Sequence, residues 1–217
     1  MGGKGAAVRG VGTAYDERRQ SILEAVFTIV DTEGVERMSI RNVAQQAGVS
    51  IGRVQHYFPT KDDLLAAAFT SITEAGGNRV RERVAAAGTD DPIAVLRAIL
   101  AETIPRTAAD RRLFRIMQAF ETHALPRPSL AVQVTEGYGG LIDLIALLLG
   151  RTVATDLDVA AAARELLALS TGLAGLTLTG NITADQAEHI VFARLDSFVN
   201  GCRGSDCALS PLRRDLL

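Results

Sequence analysis

The sequence predicts an all-α protein, with a small three-helix unit built around a helix-turn-helix and then a larger helical bundle, about nine helices in all. Three observations carry this. Apolar residues recur at spacings of three and four along most of the chain, and no stretch alternates with the period of two that a half-buried strand needs. Glycine, proline and capping residues punctuate that pattern at helix-length intervals. Of the 217 residues, 47% are hydrophobic, which supports a sizeable core.

Residues 1–13 are rich in glycine and read as a flexible arm. From Asp16 onward, Ile22, Leu23, Val26, Phe27 and Val30 mark a first helix, which Gly34 stops. Ser39 caps a short second helix with Ile40, Val43, Ala44 and Ala47 on one side, and Gly48 ends it. Ser50 caps a third short helix whose inward residues are Val54 and either Tyr57 or Phe58, and Pro59 stops it. After Thr60, another potential cap, a long helix runs from about Asp62 toward Ala87. Pro92 suits the first turn of the next helix. Further helices are expected at about 92–103, 108–123, 128–149, 156–179 and 183–201. The stretch GYGG at 137–140 lacks the strand and the Lys-Ser/Thr ending of a phosphate loop, so it reads as a kink or a close helix contact. The division expected is an arm (1–13), a helix-turn-helix domain (14–61) and a second domain (62–217).

The stretch AQQAGVSIGRVQHYF, residues 44–58, carries the functional signal. Two short helices meet at a turn whose Gly48 tolerates positive φ, and Ala44 lets them approach closely. Val43, Ala47, Val49 and Val54 fill the space between them. That leaves Ile51, Gly52, Arg53, Gln55 and His56 free to face outward, where a recognition helix meets base edges in the major groove of DNA. Arg53 can bond guanine with two hydrogens and Gln55 can do the same with adenine. Gly52 lets the backbone come close. Ser39, Ser50 and Tyr57 can bond phosphates.

Composition limits the alternatives. The net charge of −2 excludes a dedicated nucleic-acid coat. Residues 1–61 nevertheless hold eight Lys/Arg against six Asp/Glu, whereas the rest holds 15 against 19. The basic part is the one that would meet an anion. The leader has no apolar run of a secretory signal, and no run of about 18 residues is uninterruptedly apolar, so no membrane span and a cytoplasmic site are expected. His56, His123 and His189 are scattered, there is no Gly-x-Ser-x-Gly elbow and no paired acid and base, so no catalytic residue, metal or cofactor is expected. Cys202 and Cys207 read as free thiols on a tail.

The stretch SIRNVAQQAGVSIGRVQHYFPTKDDLLAAAF resembles the DNA-binding region of TetR/AcrR-type transcriptional regulators over about residues 16–70. The remainder is similar only in length, helix count and all-α character. The resemblance implies a homodimeric, ligand-responsive repressor of a palindromic double-stranded DNA operator, released by a small-molecule effector. It implies that Ser39 and Arg41 touch backbone, with Arg41 able to reach a base. Ile51, Gly52 and Arg53 would face bases, Gln55, His56 and Tyr57 would line the groove wall with Ser50 at the helix start, and Lys61 would bind phosphate. The family usually has Leu-Tyr where this chain has Val54-Gln55, so Gln55 is open to either a phosphate or a base.

The resemblance also places an effector pocket and a dimer interface in the second domain. Polar candidates on the middle helices are Arg115, Gln118, Glu121, His123, Thr135, Tyr138 and Asp143, beside Phe114, Met117 and Phe120. Of these, Phe114, Met117, Gln118, Glu121, Thr135 and Tyr138 are the pocket expectation, and the apolar surroundings suggest an apolar or amphipathic effector. Leucine stripes on the last two helices (Leu166, Leu167, Leu169, Leu173 and Leu176, then Ile190, Val191, Leu195, Phe198 and Val199), with small residues in STGLAGL, suit a four-helix dimer interface. Lys4 and Arg9 could reach a minor groove from the arm. A DNA-organising protein on the same scaffold, without an effector, is the competing class.

Overall fold

The computed structural model describes residues 7–152 and 157–200, with side chains from Tyr15 onward. Among these, the chain forms α1 (Ala7–Glu33), a 3-10 turn (Val35–Arg37), α2 (Ile40–Gln46), α3 (Ile51–Tyr57), α4 (Lys61–Ala87), α5 (Pro92–Glu102), α6 (Ala108–Ala124), α7 (Pro128–Gly150), α8 (Val159–Leu178) and α9 (Ala184–Asn200). The described residues contain no strand. The all-α reading and the nine helices hold. Lys4, Cys202 and Cys207 lie outside the described residues, as does the side chain of Arg9.

Two differences from the expected elements have simple causes. The first helix starts at Ala7 rather than near Asp16, so residues 7–13 of the expected arm are helical. Nothing before Asp16 is a proline, and extending an existing helix adds one hydrogen bond per residue fixed. The 3-10 turn was not foreseen, because three residues are too few to show a period. It lets the chain leave Gly34, at φ 85°, and arrive at Ser39 already extended.

The helix ends follow local chemistry. Ser39 Oγ accepts from the Asn42 amide at 3.1 Å, and Ser50 Oγ from the Arg53 amide at 3.2 Å. Thr60 with Asp63, Thr107 with Asp110 and Thr183 with Gln186 each cap reciprocally, side chain to backbone in both directions. Gly48 closes α2 at φ 65°: its own amide bonds the Gln45 carbonyl at 3.2 Å, and Val49 bonds the Ala44 carbonyl at 2.9 Å. That pair is the Schellman arrangement. Gly180 repeats it after α8.

The chain packs as two compact units. One holds the residues up to 81 together with 105–139, and the other holds 82–104 together with the residues from 140 onward. Two of the three boundaries fall inside long helices, α4 and α7, and the third follows α5. Packing therefore groups α6 and the first part of α7 with the helix-turn-helix. In this first unit, Ile22, Leu23, Val26, Met38, Val43, Val54, Phe58, Leu64, Ile116 and Phe120 form one core. Gly137 lies against the Phe69 ring, where an added Cβ would meet Cε1 at 3.5 Å. The GYGG stretch is thus a close helix contact within an unbroken α7.

In the second unit, α8 packs on α9, and α5 against both. The leucine stripes are therefore used in part within one chain. Leu166, Leu167, Leu173, Val191, Leu195 and Phe198 are buried within one chain, because two neighbouring amphipathic helices satisfy each other first. Leu176 and Ile190 stay exposed. Glu165 accepts from Arg194 Nε at 2.6 Å and joins the pair across its surface. By length and composition α7 and α8 are long and apolar enough to cross a membrane. No uninterrupted run betrays them, because glycine, serine and threonine are interspersed along both.

Gly48→Ala would meet no atom within 4 Å, yet it would force a side chain into left-handed backbone. The expected loss is about 1–2 kcal/mol of stability, read as a lower denaturant midpoint. An unchanged midpoint would show that the turn relaxes.

Candidate nucleic-acid interface

α3 exposes nearly all of its surface. Among its seven residues, Val54 alone is buried; Ile51, Gly52, Arg53, Gln55 and His56 are exposed, and Tyr57 is half-buried. Ile51 is a large apolar residue left in solvent at the helix start. A free-standing amphipathic helix would bury it. Here Val54 and Phe58 anchor the helix to the core, and Ile51, Gly52, Arg53 and Gln55 are left in solvent. Gly52 has nothing within 4 Å of an added Cβ, so no neighbour among the described residues requires a glycine there.

The other expected contacts surround this face. Ser50 is exposed, and its oxygen is engaged by the Arg53 amide, leaving the hydroxyl hydrogen to donate. Ser39 is half-buried and bonded in the same way, while Asn42 holds the carbonyl of Arg37 at 2.8 Å. Arg41 is exposed on α2, and Lys61 stands half-buried in the first turn of α4. All ten candidates therefore lie on the α2–α3 motif or at the two helix starts flanking it.

Sequence reasoning missed Tyr15. Its ring sits 4.6 Å from that of Tyr57 and 6.5 Å from the imidazole of His56, while His56 and Tyr57 meet edge to face at 5.4 Å. Arg19 lies over Phe58 at 5.5 Å. Tyr15 and Arg19 of α1 are thereby stacked on the end of the recognition helix. Only an exposed aromatic just before a charged run could have hinted at this.

A seam joins α1 and the 3-10 turn to α6. Asp31 accepts from Arg115 Nη2 at 2.8 Å and from Arg112 Nε at 3.3 Å, and Arg112 also reaches Thr28 Oγ1 at 3.3 Å. Arg115 is thus a structural tie. At the other end of the seam His123 is buried, with Nδ1 3.3 Å from Glu36 Oε1. Burial and the nearby charges of Arg127 and Lys61 hold its imidazole below the ordinary range, against the pull of Glu36.

The residues expected to form an effector pocket do not converge on one cavity. Glu121 and Tyr138 bond each other at 2.6 Å, between α6 and α7. Burial raises the Glu121 carboxyl, and burial plus the carboxylate raises the Tyr138 phenol. Met117 packs on the core, and Phe114 is half-buried. Thr135 is exposed and bonds its own helix at the Ala131 carbonyl. Gln118 faces a different groove, with Glu36 and His123. No cluster of three or more metal-ligating side chains exists among the described residues.

Because His123 is held low when folded, acid should protonate the unfolded chain first. Its contribution to stability is complete above about pH 6.5, the ordinary value, and is lost as pH falls through the folded value. The His123 ring resonance should titrate below 6.5; a midpoint at or above that would overturn the burial argument.

Comparison with known proteins agrees with this geometry. Residues 22–68 match the family of bacterial regulatory proteins called tetR. Residues 92–200 match the C-terminal part of BetI-type transcriptional repressors. The regulator BetI of Pseudomonas aeruginosa is 33% identical over 184 residues, 82% of this chain and 91% of that protein. PksA of Bacillus subtilis is 28% identical over 191 residues, covering 84% and 90%. A crystal structure of a transcriptional regulator from Rhodococcus sp. Rha1 superposes with a TM-score of 0.74 at 28% identity, over 84% of this chain and 96% of that one. A regulator from Saccharomonospora viridis in complex with choline shares the fold, with a TM-score of 0.71 at 21% identity, over 83% and 96%. These families are transcriptional regulators and not enzymes. With its helix-turn-helix and its helical remainder each matched, the chain belongs to the TetR family of transcriptional regulators, with a BetI-type C-terminal part.

Proposed function

We propose that the chain is a cytoplasmic homodimeric repressor that binds a palindromic operator and is released by a small effector. The observation that carries this reading is the outward face of α3, where Ile51, Gly52, Arg53 and Gln55 stand exposed. In this reading residues 14–61 read DNA and residues 62–217 bind effector and partner. Ile51, Gly52 and Arg53 meet bases, Gln55, His56 and Tyr57 line the groove wall, and Ser39, Arg41, Ser50 and Lys61 hold backbone. A two-fold dimer presents two such faces one helical turn of DNA apart, about 34–36 Å.

The residual exposed face of α8 and α9 supports the dimer. Ala168, Gly172 and Leu176 lie one turn apart on α8, with Ile190 and Ala193 on α9, and all are exposed. Small residues let helix axes approach closely, and the leucine and isoleucine supply apolar area.

The effector is amphipathic in this reading, and of the six expected residues Glu121 and Tyr138, which meet between α6 and α7, are its polar contacts. Glu121 favours a cationic head, because a carboxylate desolvated beside a neutral phenol gains most from an added positive charge. The choline held by the Saccharomonospora neighbour is such a head. Choline binding to this chain that is lost in Glu121→Gln would support the cationic reading.

Selection of bound fragments from a genomic DNA pool tests the whole proposal, at about 150 mM salt so that purely electrostatic binding is suppressed. A shared palindrome is expected; broad recovery without a motif would favour the DNA-organising alternative. Arg53→Ala should lose about 1–3 kcal/mol on the selected site and relax one base preference. Gly52→Ala should leave folding unharmed, since open space surrounds it, yet weaken operator binding. Lys61→Ala should weaken all sequences alike and flatten the salt slope by about one; an intact slope would remove Lys61 from the phosphate contacts.

A further inference from the structure

Away from the reading face and from Glu121, a groove of about 410 Å3 lies between the 3-10 turn and the last turns of α6. Val35, Ala119 and Pro126 make its apolar wall, and Glu36, His123 and Arg127 its polar one. The polar wall is unusual. The His123 side chain is 2% exposed, whereas that of its partner Glu36 is 82% exposed. A buried imidazole is therefore capped by a carboxylate that stands almost wholly in water. Arg127 is fixed beside it, donating Nη1 to the His123 carbonyl at 2.6 Å, which leaves its other N–H groups to bond elsewhere. The positive charges of Arg127 and Lys61 both bear on this point. An exposed carboxylate held at 3.3 Å gains little from the pairing. It occupies the place of an acid group without being strongly bound there.

We propose that this groove binds the carboxylate of a small amphipathic acid, which takes the place of the Glu36 carboxylate at His123 and Arg127 while its apolar part lies on Val35, Ala119 and Pro126. The exchange needs no covalent step. Glu36 leaves for solvent, and an external acid with an apolar tail gains the burial that Glu36 forgoes. The volume suits a small metabolite. The consequence follows from the chain order. Glu36 lies three residues before Ser39, the cap of α2. Displacing it removes a weak polar tie between the 3-10 turn and α6 while Val35 stays in the core, so a modest fall in operator affinity is expected. That last step rests on the operator reading; binding in the groove does not.

Hexanoate is the probe, with acetate and hexanol as controls, titrated calorimetrically into the full chain at pH 7 while the His123 ring resonances are followed. Hexanoate should bind and shift those resonances, acetate should bind more weakly for lack of a tail, and hexanol should not bind. Glu36→Gln removes the internal competitor and should tighten hexanoate severalfold. Arg127→Gln should weaken it about tenfold, the effect of one hydrogen bond to a charged group. Absence of binding in both the native chain and Glu36→Gln would overturn the proposal, as would binding that neither substitution alters. Hexanoate that binds as expected yet leaves operator affinity unchanged would overturn the coupling. Failure of the chain to bind DNA without hexanoate would instead count against the operator reading alone.

Discussion

One carboxylate sets the frame of the first compact unit. Asp31, near the end of α1, is shared between Arg112 and Arg115 of α6, more than 80 residues later in the chain. α1 carries the apolar residues on which α2, α3 and the start of α4 rest, so whatever fixes α1 against α6 also fixes the reading face against α6. The geometry is of the strong kind, two guanidinium groups on one 15% exposed acid, with a hydroxyl from Thr28 alongside. An apolar contact alone would tolerate sliding. Directional bonds to a shared acceptor tolerate it much less.

The fold was legible because its punctuation is local. Ser39, Gly48, Ser50 and Thr60 act through atoms within a few residues, and each does in the structure what its chemistry dictates. The outward residues of α3 were legible for a related reason. Val54 with Tyr57 or Phe58 was the inward set the spacing allowed, and the structure buries Val54 and Phe58 and leaves Tyr57 half-buried. What failed to show in the sequence was everything set by pairing across long separations. Tyr15 on Tyr57, Asp31 on Arg115 and Glu36 on His123 join residues at least 42 positions apart. No periodicity records them. The stripes of α8 and α9 were visible, but a stripe says only that a face is buried. It could not say whether the partner was the neighbouring helix or a second copy, and for six of the ten residues it is the neighbour.

The exposed remnants then acquire meaning by subtraction. A helix whose outward side had evolved only for solvent would carry charge there, as most surface helices do. Beyond the charged Arg164 and Glu165 in its first half, α8 presents alanine, glycine and leucine at 168, 172 and 176, and α3 presents isoleucine and glycine beside arginine and glutamine. The first set is flat and apolar and suits a helix of the same kind. The second mixes one apolar contact, one close approach and two planar hydrogen-bonding groups, which is the inventory a major groove asks for.

Magnitudes limit what the seam can do in regulation. Moving a two-state equilibrium from one part in a hundred to ninety-nine takes about 10^4-fold preference, or about 5.5 kcal/mol. Bonds to a charged partner contribute about 1.5–3 kcal/mol, less where the groups are wet. Arg112 and Arg115 are 35% and 54% exposed, so the Asp31 tie stands toward the lower end. The weakly held Glu36 adds little to that. One seam is too small a lever to invert such an equilibrium. In the proposed dimer each copy would contribute its own seam, and the doubled coupling would come nearer the requirement than a single chain bonded through half-exposed arginines.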